Sequence, residues 1–174
     1  MNGLSVAVVG ATGAVGGEFL RLFEEREFPV RELKLLASER SVGKSLRFKG
    51  EEIPITLAAP DAFEGVDVAF FSAGATRSKA LAPAAIAAGA LVVDNSSAFR
   101  MNADVPLVVP EINADAMRGA RLVAVPNCTA IILTMAIHPL RRLGQIERLI
   151  VSTYQSASGG GAAMMRHLEN ETRA

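Results

Sequence analysis

The chain has 174 residues, half of them hydrophobic and 21% charged, against roughly 100 to 200 residues for one domain. It is long enough to bury a real core, and its composition lies far from the polar, highly charged corner where chains stay disordered. Eighteen Lys plus Arg balance 18 Asp plus Glu, leaving no basic field to hold a nucleic-acid backbone, and the single cysteine, Cys128, excludes an intrachain disulfide and fits a reducing cytoplasm.

With two histidines besides Cys128, the composition argues against a structural zinc site, and no metal site is expected. The most apolar stretches, Leu81 to Val93 and Cys128 to Ile137, are shorter than the roughly 18 to 20 residues that span a bilayer. Met1 to Gly17 lacks the basic start of a signal sequence and reads as folded protein.

Leu4 to Val9 (LSVAVV) is an apolar run ending at Gly10, the pattern of a strand buried on both faces. From Ala14 to Arg26, Val15, Phe19, Leu22 and Phe23 form one helical stripe. Glu32 to Ala37 reads as a second strand, and Leu46 to Thr56 as a polar-edged excursion turned by Lys49 and Gly50. Val68 to Ser72 is a third buried strand; Thr76 to Ala88 is an alanine-rich helix stopped by Gly89, and Leu91 to Asp94 returns to strand.

Leu122 to Val125 is another strand, broken at Pro126-Asn127, and Thr129 to Leu143 reads as a long apolar helix ending near Gly144. Glu147 to Gln155 reads as a new strand, and Ala162 to Arg173 as a helix. This alternation predicts an α/β doubly wound, mostly parallel, Rossmann-like sheet with right-handed crossovers and ligands at the carboxyl ends of its strands. Residues 1–145 form the expected first domain; 146–174 read as the truncated start of a second, α+β domain.

Gly10-Ala11-Thr12-Gly13-Ala14-Val15-Gly16 is a GxxGxxG turn between strand and helix. Gly10 permits a tight turn, Gly13 lets backbone approach a pyrophosphate and Gly16 allows close helix packing, while free N–H groups at the helix start face the anion. The spacing departs from GxGxxG by one residue, and purely steric glycine turns also occur. After the second strand, where an acidic residue normally accepts ribose hydroxyls, stands Ala37-Ser38-Glu39-Arg40-Ser41. A serine hydroxyl and a guanidinium suit a 2′-phosphate; Glu39 keeps NAD open, and so does the plain reading of a solvated charged loop.

Cys128, in VPNCTA, falls between a strand end and a helix start. Most lone cysteines are buried small hydrophobes, but helix N-terminal N–H groups favour a thiolate, and a nicotinamide would lie at that sheet edge. Asp94-Asn95-Ser96-Ser97-Ala98-Phe99-Arg100 can bind phosphate or carboxylate, or serve as an ordinary capped turn. YQSASGGG, from Tyr154 to Gly161, is a hinge or a loop that carries Gln155 to the site.

GATGAVG, ASERSVGK, SAGAT, DNSSAFRM with VPLVVPEIN, VPNCTA and YQSASGGG occur in the order found in the aspartate-semialdehyde dehydrogenase family, which the chain resembles over nearly its whole length. The resemblance implies an NADP-dependent enzyme of amino-acid biosynthesis, a cytoplasmic homodimer that interconverts 4-aspartyl phosphate and aspartate 4-semialdehyde. Cys128 then resembles the nucleophile, Asn127 its neighbour at the acyl phosphate, Gln155 the residue orienting substrate, and Arg100 with Asn95 the phosphate site. Gly10, Thr12, Gly13, Ala14 and Val15 resemble the pyrophosphate turn, Ser38, Arg40 and Ser41 the 2′-phosphate contacts, and Ser72, Ala73, Gly74, Ser158 and Gly159 further cofactor contacts.

The family also needs a histidine acid/base and a carboxylate-binding arginine from a downstream domain. His138, beside Pro139 in the apolar helix, and His167, in the final helix, match neither and read as structural. The chain stops in a helical pattern at about half the family's length, so it reads as a fragment. An N-acetylglutamyl-phosphate reductase and a non-catalytic NADP-binding module are the rival readings, the first disfavoured by SSAFRM and PNCTA.

Overall fold

The computed structural model describes residues 3–173. A seven-stranded sheet runs through it, built from β1 (Leu4–Val9), β2 (Val30–Ala37), β3 (Ser45–Phe48), β4 (Glu51–Leu57), β5 (Val68–Phe71), β6 (Leu91–Asp94) and β7 (Leu122–Ala124). Their order across the sheet is β3-β4-β2-β1-β5-β6-β7, all pairs parallel except β3 with β4. The chain moves from β1 to β2 on one side and later to β5 on the other. That reversal opens a crevice at the carboxyl ends of β1, β2 and β5, where doubly wound sheets hold their ligands.

The expected mostly parallel Rossmann-like sheet is therefore the observed one. The helices are α1 (Ala14–Glu25), α2 (Ala75–Ala87), α3 (Pro110–Asn113), α4 (Cys128–Ile137) and α5 (Ala162–Arg173). Alternation along β1 explains the two cores. Ala7 and Val9 face a cluster with Phe63, Phe71, Leu81, Ala82, Ala85 and Val92, whereas Val6 and Val8 face Leu20, Phe23, Leu35, Phe48 and Ile55. Each fully buried large side chain contributes about 1.5–3 kcal/mol relative to exposure, so the central strand is anchored on both faces.

Leu46 to Thr56 resolves into the β3–β4 hairpin. Phe48 pairs with Glu51 across Lys49 and Gly50, whose φ values of 49° and 86° are both positive, as a two-residue turn matching strand twist demands.

Two expectations need correction. The helix expected over Thr129 to Leu143 is α-helical only to Ile137 and tightens into a 3-10 turn over His138–Arg142. Pro139 is the cause, because it lacks an N–H and its ring clashes with the carbonyl four residues earlier; His138 thus opens the 3-10 turn instead of lying within an α-helix. The strand expected over Glu147 to Gln155 does not form: residues 144–156 have no regular structure. Ile150 is 88% exposed; the apolar run Leu149-Ile150-Val151 becomes a strand only when a neighbour supplies the ladder, and among the described residues none is paired with it.

α4 reads CTAIILTMAI yet buries none of its residues, and α5 buries none either. No helix of the described residues is long and apolar enough to cross a membrane.

Candidate functional site

The turn after β1 is shaped by contacts that only glycine tolerates at two positions. Gly10 has φ 90°, and a Cβ there would lie 2.5 Å from the Ser72 carbonyl oxygen; a Cβ on Gly16 would lie 2.5 Å from the carbonyl oxygens of Gly10 and Ala11. The segments leaving β1 and β5 therefore pass close together at Gly10 and Ser72, and α1 sits directly on the turn. The Gly10 and Ala11 N–H groups donate to Leu36, and Gly13 N–H donates to Gly10 at 2.9 Å. Gly13 caps α1 without a side-chain hydrogen bond, which leaves the first-turn amides of Ala14, Val15 and Gly16 as donors for an anion.

At the carboxyl ends of β1, β2, β4 and β5 lies a hollow of about 730 Å³ lined by Gly10, Thr12, Gly13, Ser38, Arg40, Ser41, Lys44, Ser72, Ala73 and Arg77, with Gly160, Ala162 and Ala163 at one side. Thr12 and Ser41 hydroxyls lie 3.3 Å apart, tying the glycine turn to the loop after β2. Among the described residues, no Asp or Glu lines this hollow. A cradle that a Cβ would fill, uncapped helix amides and an excess of cations fit a dinucleotide carrying a pyrophosphate.

Sequence reasoning thus finds most of this wall, but Ser158 and Gly159 border neighbouring hollows instead, and the residues from their segment that reach this one are Gly160, Ala162 and Ala163. Lys44 and Arg77 also line the hollow, and sequence reasoning did not single them out. Lys44 lies within the quoted ASERSVGK run and Arg77 just beyond SAGAT; a lone cation on a surface helix carries no signal until the fold sets it beside others.

A second group lies further along the same edge, after β6 and β7. Asp94 is fully buried and accepts hydrogen bonds from the Ser78 hydroxyl at 2.7 Å, the Ser96 hydroxyl at 2.7 Å and the Ser96 N–H at 3.2 Å. A buried carboxylate persists when donors surround it. This network holds the start of the 95–100 loop against α2. Arg100 Nε donates to the Val125 carbonyl at 2.8 Å and one Nη donates to the Asn95 carbonyl at 3.0 Å. The guanidinium therefore bridges the loops after β6 and β7, with its other Nη free of these two bonds.

Asn127 caps α4: its side-chain oxygen accepts from the Thr129 N–H at 3.0 Å and from the Thr129 hydroxyl. Cys128 is the first residue of α4 and is exposed. The thiol is thus solvent-accessible at a helix start, beside an asparagine fixed by its cap. Gln155 packs on Gly159 and lines a different hollow, with Met164, His167 and Leu168.

A family model described as semialdehyde dehydrogenase, NAD binding domain, matches residues 5–120. The chain belongs to the semialdehyde dehydrogenase family. The aspartate-semialdehyde dehydrogenase of Synechocystis sp. is 52% identical over 98% of this chain and 51% of that protein. The crystal structure of aspartate semialdehyde dehydrogenase II from Vibrio cholerae, complexed with ASA, superposes with a TM-score of 0.93 at 44% identity, covering 99% of this chain and 52% of that one. The Candida albicans aspartate semialdehyde dehydrogenase with NADP gives 0.69 at 26% identity, covering 83% and 48%. The chain spans about half the length of the curated relatives it matches.

Proposed function

We propose that this chain is the NADP-binding and nucleophile-bearing half of an aspartate-semialdehyde dehydrogenase, with residues 1–145 as the cofactor domain and 146–174 as the start of a catalytic and dimerisation domain. The observation that carries the reading is the shared sheet edge: the dinucleotide hollow lies after β1, β2 and β5, and Cys128 follows β7 on that same edge. Similarity to relatives with that name over 98% of the chain supports the substrate assignment.

In the biosynthetic direction the Cys128 thiolate attacks the acyl carbon of 4-aspartyl phosphate; the C–S bond forms, the C–O bond to phosphate breaks, and phosphate leaves towards Arg100. NADPH held by the glycine turn at Gly10 and Gly13 and by the cations Arg40, Lys44 and Arg77 would supply the hydride needed to bring the resulting thioester to the aldehyde level. The tetrahedral alkoxide so formed then collapses: its carbonyl re-forms and the C–S bond breaks, returning the Cys128 thiolate and releasing aspartate 4-semialdehyde. Covalent catalysis divides one difficult reduction into two easier steps. Asn127, held by its cap, positions the acyl oxygen, and the N–H groups at the start of α4 stabilise charge developing there. Arg100 takes the phosphate through the Nη not bound to Asn95, and Gln155 orients the substrate once the rest of the catalytic domain packs against its segment. The acid/base histidine and the arginine for the substrate carboxylate belong to that domain, and this chain by itself is inactive in turnover.

The test is an assay of the full-length protein with aspartate 4-semialdehyde, phosphate and NADP, beside Cys128→Ser. Phosphate-dependent NADPH formation that Cys128→Ser abolishes is expected; turnover that survives the substitution would remove the thioester route.

A further inference from the structure

We propose that Arg77 is a specificity-determining residue for the 2′-phosphate of NADP, the second arginine of a pair whose first is Arg40. The proposal rests on the NADP reading above and adds a ligand that the loop after β2 does not contain.

Arg40 follows β2 and Arg77 is the third residue of α2, after β5, so the two reach the crevice from the strands flanking β1. Both line the large hollow, and both also line the smaller one beside it, about 330 Å³, together with Ser38, Glu39, Leu57 and Ala58. They therefore share one rim, at the carboxyl ends of β2 and β4. Both are exposed, and among the described residues neither takes part in an ion pair.

The charge pattern at this rim is the deciding observation. The whole chain is electrically neutral, yet the large hollow carries Arg40, Lys44 and Arg77 and no carboxylate. The pyrophosphate of a dinucleotide is met by helix amides at the glycine turn, which leaves this cationic excess for charge at the adenosine end. A 2′-phosphate supplies that charge, and a guanidinium grips it through paired N–H donors. A bare 2′-hydroxyl calls instead for an acidic acceptor; Glu39 is the one acid on this rim, and it lines the smaller hollow only.

The experiment is calorimetric titration of the full-length protein and its Arg77→Gln, Arg77→Lys and Arg40→Gln variants with NADP, NAD, 2′,5′-ADP and 5′-AMP. Arg77→Gln should weaken NADP and 2′,5′-ADP about tenfold each, as loss of one charged hydrogen-bond partner does, and leave NAD and 5′-AMP within about twofold. Arg77→Lys should recover part of the loss, and the salt dependence of NADP binding should be shallower in Arg77→Gln. Equal weakening of all four nucleotides would assign Arg77 to the adenosine body or to the fold and overturn the proposal. So would an unchanged NADP affinity in a protein that still prefers NADP. An unaltered protein binding NAD as tightly as NADP, and 5′-AMP as tightly as 2′,5′-ADP, would overturn the cofactor reading itself and Arg77 with it.

Discussion

Ser78 donates its hydroxyl to the Asp94 carboxylate at 2.7 Å, with both side chains fully buried. The bond joins α2 to the end of β6, so it ties the helix that begins beside the dinucleotide hollow to the strand that leads into the Arg100 loop. Ser78→Ala removes one of three donors to a buried charge, and leaving a buried polar group short of a partner costs about 1–3 kcal/mol. A loss in that range is expected from urea unfolding. Stability unchanged within error would show that Asp94 does not depend on this bond.

Gly10 and Gly17 should respond oppositely to alanine. At Gly10 the backbone has φ 90° and the new methyl would meet the Ser72 carbonyl oxygen at 2.5 Å, whereas at Gly17, exposed within α1, it meets nothing within 4 Å. Left-handed backbone alone costs roughly 1–2 kcal/mol for a residue with a Cβ, and the clash with main chain adds to it. Gly10→Ala should unfold more readily and lose dinucleotide affinity. Gly17→Ala should gain about 0.5–1 kcal/mol from helix propensity; a loss at Gly17 would mean that the helix surface there is engaged.

What the sequence revealed follows from how local each determinant is. β1, β6 and α5 are bounded by residues whose own pattern defines them, and their expected limits agree with Leu4–Val9, Leu91–Asp94 and Ala162–Arg173. The glycine turn was legible because φ at Gly10 and the close approach at Gly16 restrict residue type at fixed spacing. Leu149, Ile150 and Val151 look like strand residues, but strand formation depends on a partner that no local pattern encodes. Arg77 is of the same kind: its meaning comes from Arg40, which joins it only when β2 and β5 flank β1. The Asp94–Ser78 bond was hidden for that reason too.

If the proposed preference for NADP holds, Arg40→Asp should reverse it in the full-length protein. Arg40 lines the hollow that contains no carboxylate, and an aspartate there would repel a 2′-phosphate while accepting from ribose hydroxyls. Fluorescence or calorimetric titration should show NADP weakened by about tenfold or more and NAD unchanged or tighter. Retained NADP preference would place the phosphate elsewhere.

Arg100 bridges two loops, and different measurements separate that bridge from the phosphate-binding role proposed for it. Its bonds to the Val125 and Asn95 carbonyls join two loops, and charged hydrogen bonds of this kind contribute about 1.5–3 kcal/mol. Arg100→Ala should therefore lower stability to denaturant and, in the full-length protein, raise the phosphate concentration needed for half-maximal oxidation of the semialdehyde. Arg100→Lys should recover charge without the fork, restoring part of the phosphate response but little of the stability. A normal phosphate dependence in Arg100→Ala would leave the residue a structural bridge only.

Asn127 separates capping from chemistry in the same way. Its side-chain oxygen accepts from the Thr129 N–H at 3.0 Å, a cap whose loss to alanine costs about 0.5–2 kcal/mol. Aspartate preserves the acceptor, so Asn127→Asp should be as stable as the unaltered protein in thermal melts, and a negative charge at the start of α4 suits the helix dipole. It removes the amide donor, however, and places a carboxylate next to the Cys128 thiol, where it repels an anionic reagent or substrate. Alkylation of Cys128 by iodoacetate should slow more than alkylation by the neutral iodoacetamide, and turnover of the full-length protein should fall although the cap persists. Undiminished turnover in Asn127→Asp would confine Asn127 to holding the helix, and the positioning of the acyl oxygen would then fall to the backbone N–H groups at the start of α4.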